Sequence, residues 1–309
     1  MRFKASFFCL VIHSFLGRRY IVSNVNEVKA LHPCFGNAKN KGRIHLPVCP
    51  NCNIQCNFCN RKIDDRENRP GVTRSILTPL EALEVVDKSI HLCPDITVVG
   101  IAGPGDTLAS DKALQTFSII KEKHPNLLKC MSTNGLLLND RADELIELGI
   151  DTLTVTVNGV DKKIVSHIVS KIIYKEKVYE GESAADILIE NQIAGIEKMA
   201  RAGVTIKVNT VFIKEINGEH IEDIAKTVGK LGVAIYNIIP LIPQYKLSHC
   251  TEPTCIDIDG ARRIAGEYVD VFRHCMRCRA DAIGLLGGMD ISSQIYGERL
   301  NIVETFSHG

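Results

Sequence analysis

Cys52, Cys56 and Cys59 carry the most telling chemistry in this chain, in the stretch Cys52-Asn53-Ile54-Gln55-Cys56-Asn57-Phe58-Cys59. Three thiolates at this spacing can each hold one iron of a cubic four-iron cluster, leaving the fourth iron without a protein ligand. An open iron can bind a small molecule, so such a cluster is reactive and more than an electron conduit. The bland reading of the same residues is a zinc knuckle or three buried thiols. Zinc asks for a fourth Cys or His at similar spacing, and features further along the chain fit iron better.

Other groups surround this triad. Cys34, in His32-Pro33-Cys34, and the pair in Cys275-Met276-Arg277-Cys278 lie on either side of the central sequence. A C-x-x-C pair chelates iron or zinc, or works as a redox dithiol. A third thiolate from Cys34 would complete a second three-ligand site. Gly103-Pro104-Gly105-Asp106 follows a β-branched run. Glycine there lets a ligand approach the backbone closely, and Asp106 offers a carboxylate to an ammonium, though an ordinary turn reads equally well. Ser132-Thr133-Asn134-Gly135 ends the next such run, Asn209 lies within another, and Asn237 sits near the end of the one after. Singly these are ordinary structural polar residues. As a set around one barrel mouth they suit ribose, carboxylate or adenine. Cys250 and Cys255, with His249, fall in a Pro-containing loop before the last helix and read as structural or incidental.

The elements that must position these residues alternate. Thr78-Pro79-Leu80-Glu81 predicts a capped helix running to about Leu92. A strand over Asp95 to Ile101 follows, then a helix over Leu114 to Lys123 and a strand over Lys129 to Thr133. The pattern continues with a helix over Arg141 to Leu148, a strand over Thr152 to Asn158, and a helix over Ala184 to Ala202. Strands over Thr205 to Phe212 and Ala234 to Pro240 flank a helix over Ile221 to Leu231, and a last helix spans Asp259 to Phe272. Serial βα units imply a parallel sheet with helices outside, most economically an α/β barrel with its site at the C-terminal strand ends.

Composition narrows the function further. The net charge is +1 with no basic stripe, so nucleic-acid binding is not indicated. Twelve cysteines without a clear secretory signal fit a reducing cytoplasm and metal ligation better than disulfides. The apolar run Phe7 to Leu16 is too short for a membrane span.

The triad closely resembles that of the radical S-adenosylmethionine (radical SAM) enzymes. The chain as a whole resembles the NifB family, the radical SAM enzymes of nitrogenase cofactor assembly, in its stand-alone short form. The resemblance rests on His32-Pro33-Cys34, Cys52 through Lys62, Arg69-Pro70-Gly71-Val72 and Gly100 through Asp106. It extends to Cys130 through Gly135, Asn237 through Leu241 and His274 through Leu286, covering about residues 32 to 287 in order. It implies a radical SAM (β/α) TIM-like barrel over residues 32–290, with an N-terminal extension over 1–31, a C-terminal tail over 291–309 and cluster-binding flanks.

The reaction so implied fuses two [4Fe-4S] clusters with sulfide and a carbide derived from S-adenosylmethionine into the eight-iron precursor of the iron–molybdenum cofactor. Cys52, Cys56 and Cys59 would hold the radical cluster, and S-adenosylmethionine would chelate its open iron. Cys34, Cys275 and Cys278 would hold one precursor cluster, and Cys130 would help to hold the other. The glycine-rich turn would bind the methionyl amino group. An iron–sulfur cluster donor, an electron donor and a downstream cofactor carrier or scaffold are the implied partners, with no nucleic acid and no membrane.

Two positions depart from the family. Its second precursor site also uses a His shortly after His-Pro-Cys and a Cys shortly after the triad, where this chain has Lys39 and Asp65. Lysine is normally protonated, and carboxylate is a harder donor than thiolate. His45, Cys49 and Cys93 are candidates to compensate, each with a plain core or turn reading beside it. Two rival functions follow: a related radical SAM enzyme with another substrate, and a non-catalytic iron–sulfur carrier.

Overall fold

The computed structural model describes residues 25–36, 38 and 40–297. The apolar run Phe7 to Leu16, Lys39 and the end of the tail lie outside the described residues. Helix α1 (Val25–Leu31) precedes strand β1 (Gly42–His45), and three short strands follow: β2 (Ile54–Cys56), β3 (Lys62–Ile63) and β4 (Val72–Thr73). The chain then alternates through α2 (Pro79–Leu92), β5 (Ile96–Ile101), α3 (Lys112–Lys123), β6 (Leu128–Thr133), α4 (Leu138–Leu148) and β7 (Thr152–Thr156). A short helix α5 (Lys162–Ile168) leads into a hairpin, β8 (Val169–Tyr174) and β9 (Lys177–Glu180). Regular alternation resumes with α6 (Gly181–Arg201), β10 (Thr205–Phe212), α7 (Lys214–Asn217), α8 (Ile221–Lys230) and β11 (Ile235–Pro240). The chain closes with α9 (Cys255–Ala265), β12 (Ile283–Leu285) and α10 (Ser292–Tyr296).

The principal sheet has seven strands in the order β11-β10-β7-β6-β5-β1-β12. Every neighbouring pair is parallel except β1 with β12, which is antiparallel. Helical crossovers return each strand to the same starting edge, which makes the pairing parallel and buries the sheet beneath helices. Largely apolar runs such as Ile96-Thr97-Val98-Val99-Gly100-Ile101, broken only by the partly buried Thr97, reflect that burial. The predicted α/β barrel is present as an open arc, with β11 and β12 as its two edges.

Local chemistry explains most boundaries. Helix α2 starts as predicted, with Thr78 and Glu81 forming a reciprocal capping box and Pro79 in the first turn. The last helix differs from expectation. It begins at Cys255 because Thr254 and Asp257 form a second capping box, and it ends at Ala265. Residues beyond Gly266 turn back so that Val271 bridges to Tyr236 of β11. Cys255 is therefore a helix residue rather than a loop residue.

Candidate functional site

The C-terminal ends of the parallel strands surround a cavity of roughly 350 Å³. Cys52, Cys56 and Cys59 all line it, although they come from a segment that contributes no strand to the main sheet. Two supports hold that segment. The hairpin pairs β8 antiparallel to β2, setting Cys56 against Val169, and the Ile173 amide donates to the Asn53 carbonyl at 2.8 Å. On the other side the Gly105 amide donates to the Cys49 carbonyl at 2.7 Å, and the Asp106 amide to that of Asn51 at 2.8 Å.

The second support explains Gly105. A Cβ there would lie 1.9 Å from the Asn51 carbonyl oxygen, so only glycine lets the turn meet the cysteine loop. The close approach made by this glycine is thus to the protein's own backbone. Asp106 also differs from expectation. Its buried carboxylate accepts from Thr133 Oγ1 at 3.0 Å, the Asn134 amide at 2.6 Å and the Leu108 amide at 3.0 Å. Asp106 lines the cavity but is engaged in tying the β5 turn to the end of β6. Burial raises its pKa, and these donors oppose the rise.

Strand register arranges the other polar residues in rows. Ser132, Thr154 and Lys207 are aligned across β6, β7 and β10, and Thr156, Asn209 and Asn237 across β7, β10 and β11. Ser132, Asn134 and Asn209 line the cavity as predicted. Asn237 and Gly103 do not. Asn237 is fully buried behind Asn209 and donates to its Oδ1 at 3.0 Å, so it can act on a ligand only through Asn209. Gly103 adopts φ +120°, which shapes the turn without facing the cavity. Asn134 reaches the triad: its amide nitrogen lies 2.7 Å from Asn53 Oδ1 and 3.7 Å from Cys52 Sγ.

Cys34, Cys130, Cys275 and Cys278 face the same cavity. Residues distant in sequence therefore share one cavity, the arrangement that the family resemblance implies. Among the described residues every cysteine is a free thiol. Burial pushes the Cys34 and Cys52 thiols up to about 12, and it raises Cys56, Cys59 and Cys130 as well. A buried thiol disfavours its charged form until a metal replaces the proton.

Basic groups that no motif marks in the sequence stand among these thiols. Arg61 is buried against the triad with Nε and Nη2 unpaired. Arg43 Nη2 donates to Cys278 Sγ at 3.2 Å, and Lys207 Nζ donates to the Cys34 carbonyl at 3.0 Å. One signal was available: Lys207 interrupts the apolar run Thr205-Ile206-Lys207-Val208 two residues from Asn209, on the same strand face. The donor set fits a four-iron cluster at the triad, because three thiols of one loop line the cavity beside a buried guanidinium whose Nε and Nη2 lack acceptors while Nη1 donates to the Pro50 carbonyl.

Comparison with known proteins decides the family. The sequence profile of the Radical SAM superfamily matches residues 46–228. The chain is 46% identical to the FeMo cofactor biosynthesis protein NifB of Methanocaldococcus jannaschii, over 93% of this chain and 98% of that protein. The chain belongs to the NifB family of radical SAM enzymes. It is also 43% identical to NifB of Methanocaldococcus infernus, over 90% and 93% of the two chains. Klebsiella pneumoniae NifB is 39% identical over 85% of this chain and 58% of its own length.

Solved structures share the fold. Streptococcus suis SuiB bound to S-adenosylmethionine superposes with a TM-score of 0.51 at 14% identity, covering 78% of this chain and 53% of that one. Methylornithine synthase (PylB) gives 0.50 at 14%, covering 81% and 68%. As a radical SAM enzyme the NifB-family chain uses a [4Fe-4S] cluster and S-adenosylmethionine.

The groups offered as compensation for Lys39 and Asp65 separate cleanly. Asp65 is exposed on the surface beside Arg66. Cys49 is buried in the core with its Sγ 3.9 Å from the Thr107 carbonyl, and Cys93 caps α2. Neither lines the cavity, but His45 does. Its Nδ1 lies 3.1 Å from the Arg279 carbonyl, which makes Nδ1 the donor and leaves the Nε2 lone pair free. Burial and the neighbouring Arg43 guanidinium hold its pKa down to about 4, so the ring is neutral. Cys250 is buried in a separate core cluster. Cys255 lines a second cleft that shares Cys275 and Arg277 with the main cavity. Among the described residues no helix is long and apolar enough to cross a membrane.

Proposed function

We propose that this NifB-family enzyme fuses two [4Fe-4S] clusters, a sulfide and a carbide derived from S-adenosylmethionine into the eight-iron precursor of the nitrogenase iron–molybdenum cofactor. The observation that carries this reading is that seven cysteines from four separate stretches of chain face one cavity. A single radical cluster needs three thiolates, so four remain for substrate clusters.

Cys52, Cys56 and Cys59 hold the radical cluster, which when bound supplies the electron that cleaves S-adenosylmethionine. Cys34, Cys275 and Cys278 hold one substrate cluster. Cys130 and His45 hold the other. Strand register sets both opposite Gly100, which lacks a side chain and leaves the space between them open. The hydrogen bond to Arg279 keeps the His45 Nε2 lone pair aimed at iron, as second-shell carbonyls do for metal-binding histidines. Ser132, Asn134 and Asn209 offer hydroxyl and amide groups to S-adenosylmethionine. The carbonyls of the Gly103 turn suit the methionyl ammonium better than the engaged Asp106 carboxylate. Walls of Ile54, Val165 and Leu188 exclude water from the reacting atoms.

A cluster donor, an electron donor and a downstream carrier are the partners such a reaction requires. The free thiols support a reducing, cytoplasmic setting. Anaerobic reconstitution followed by iron analysis and EPR tests the proposal. The native chain should hold about twelve irons, and a variant with Cys52, Cys56 and Cys59 changed to Ala about eight. Eight irons falling to four would remove the second precursor site and leave a radical SAM enzyme with another substrate. A reduced, loaded chain that failed to cleave S-adenosylmethionine would leave only the carrier.

A further inference from the structure

Two histidines face the cavity with opposite ring polarity. His45 donates through Nδ1 and presents a lone pair at Nε2. His32 does the reverse: its Nδ1 accepts from the Cys34 amide at 3.1 Å, so the neutral ring carries its proton on Nε2. That Nε2 is buried without a partner, in a residue only 2% exposed. A buried N–H left unmade asks for an acceptor.

Arg43 also carries an unmet donor, and it stands behind the cavity wall and reaches the site through Cys278. It is 5% exposed, Nη1 donates to the Gly284 carbonyl at 2.7 Å, Nη2 donates to Cys278 Sγ at 3.2 Å, and Nε has no partner. Holding Gly284 accounts for Nη1 alone. Lys207 adds a second buried cation, 3.0 Å from the Cys34 carbonyl and 4.7 and 5.5 Å from the ring centres of Phe35 and Phe272. Among the described residues lining the cavity the one carboxylate is Asp106, already engaged by Thr133 and Asn134.

We propose that His32, Arg43 and Lys207 form a donor cradle for the sulfides of an anionic iron–sulfur cluster held by Cys34, Cys275 and Cys278, and that the cradle raises the reduction potential of that cluster. The inference rests on the assignment of those three cysteines as ligands. His32 is then a hydrogen-bond donor to the cluster and never an iron ligand. N–H groups and positive charge near cluster sulfur stabilise the more negative, reduced state, which is how a protein sets cluster potential. A cluster kept reduced before fusion is the physical consequence.

The test uses the full chain with Cys52, Cys56, Cys59 and Cys130 replaced by Ala, reconstituted anaerobically and titrated by EPR. His32→Phe and Arg43→Met should each keep about four irons. Each should also disfavour the reduced state about tenfold, a fall of about 59 mV for a one-electron couple. His32→Gln restores an N–H donor and should stay near the parent potential. Should Arg43→Met not load iron, Arg43→Lys keeps the charge and should give an intermediate potential. Four irons with an unmoved potential would overturn the cradle alone. An ENDOR nitrogen coupling lost in His32→Phe would make His32 a ligand and overturn its donor role. Cys34→Ala and Cys278→Ala separate the underlying assignment: they should abolish the cluster, and its survival would remove ligand set and cradle together.

Discussion

Cys52 shows how a single residue serves two states of this protein. Without iron its thiol is pushed up to about 12 by burial, with the Asp106 carboxylate adding to the rise and Arg61 opposing it. Relative to an ordinary thiol the thiolate fraction at neutral pH falls about a thousandfold, and the greater nucleophilicity of a more basic thiolate recovers part of that. Anaerobic iodoacetamide labelling of the iron-free protein should therefore modify Cys52 roughly 30-fold more slowly than a free thiol. The rate should keep rising with pH well beyond 9, because the thiol is the species stable below the raised pKa. Peptide mass spectrometry over a pH series reads this directly, and a plateau near pH 9 would contradict it. Asn134 acts on the same sulfur from outside, with its amide 3.7 Å from Cys52 Sγ and 2.7 Å from Asn53 Oδ1. Second-shell partners of this kind are worth about 10- to 100-fold in activity. Asn134→Ala should slow 5′-deoxyadenosine release by that factor while the iron content stays constant.

At the scale of elements, the triad loop depends on one glycine. Gly105→Ala would place a Cβ 1.9 Å from the Asn51 carbonyl oxygen, a backbone atom of the triad loop that cannot swing aside as a side chain can. Overpacking of this kind costs about 1–3 kcal/mol. A lowered urea midpoint together with loss of the radical-cluster EPR signal is the expected outcome, and an unchanged signal would mean that the hairpin alone holds the loop. Elements with local signals were legible from the sequence: the Thr78–Glu81 box announces α2, and the alternation of β10 was read to its final residue. The β8–β9 hairpin carries no such signal because its two-residue turn is Lys175-Glu176, with φ of 50° and 64°. Glycine or asparagine normally announces such a turn. The end of α9 is hidden for the opposite reason, since its helix-like composition runs on past Ala265 while tertiary pairing with β11 takes the chain away. Within the site the thiols are visible as motifs. The roles of Arg43 and Lys207 are not, because each depends on a contact across a gap in sequence that spacing cannot express, and that of His32 depends on which ring nitrogen the Cys34 amide engages.

At the scale of the whole molecule, an ionic tie joins the C-terminal segment to the loop after the triad. Arg279 donates to the carbonyls of Glu67 and Asp64 and pairs with the buried Asp281 at 2.8 Å. Asp281 in turn accepts from the Arg74 amide at 2.7 Å and lies 3.6 Å from its guanidinium. The Arg279 carbonyl is also the group that orients His45. One cluster of charges therefore fastens the segment carrying Cys275 and Cys278, the loop after the triad and the His45 ring into a single frame. Asp281→Asn leaves the buried Arg279 guanidinium and the partly buried Arg74 guanidinium without their counter-charge, and breaking a buried pair from one side costs about 3–5 kcal/mol. The damage should be uneven. The triad is held by β2, the hairpin and the Gly105 turn, whose hydrogen bonds among the described residues do not involve Asp281. The variant should lose iron from the precursor sites and keep about four irons at the triad, with S-adenosylmethionine cleavage intact and no eight-iron product. Iron analysis, EPR and deoxyadenosine release on one preparation distinguish this from general unfolding, in which the radical cluster would disappear in step with the others.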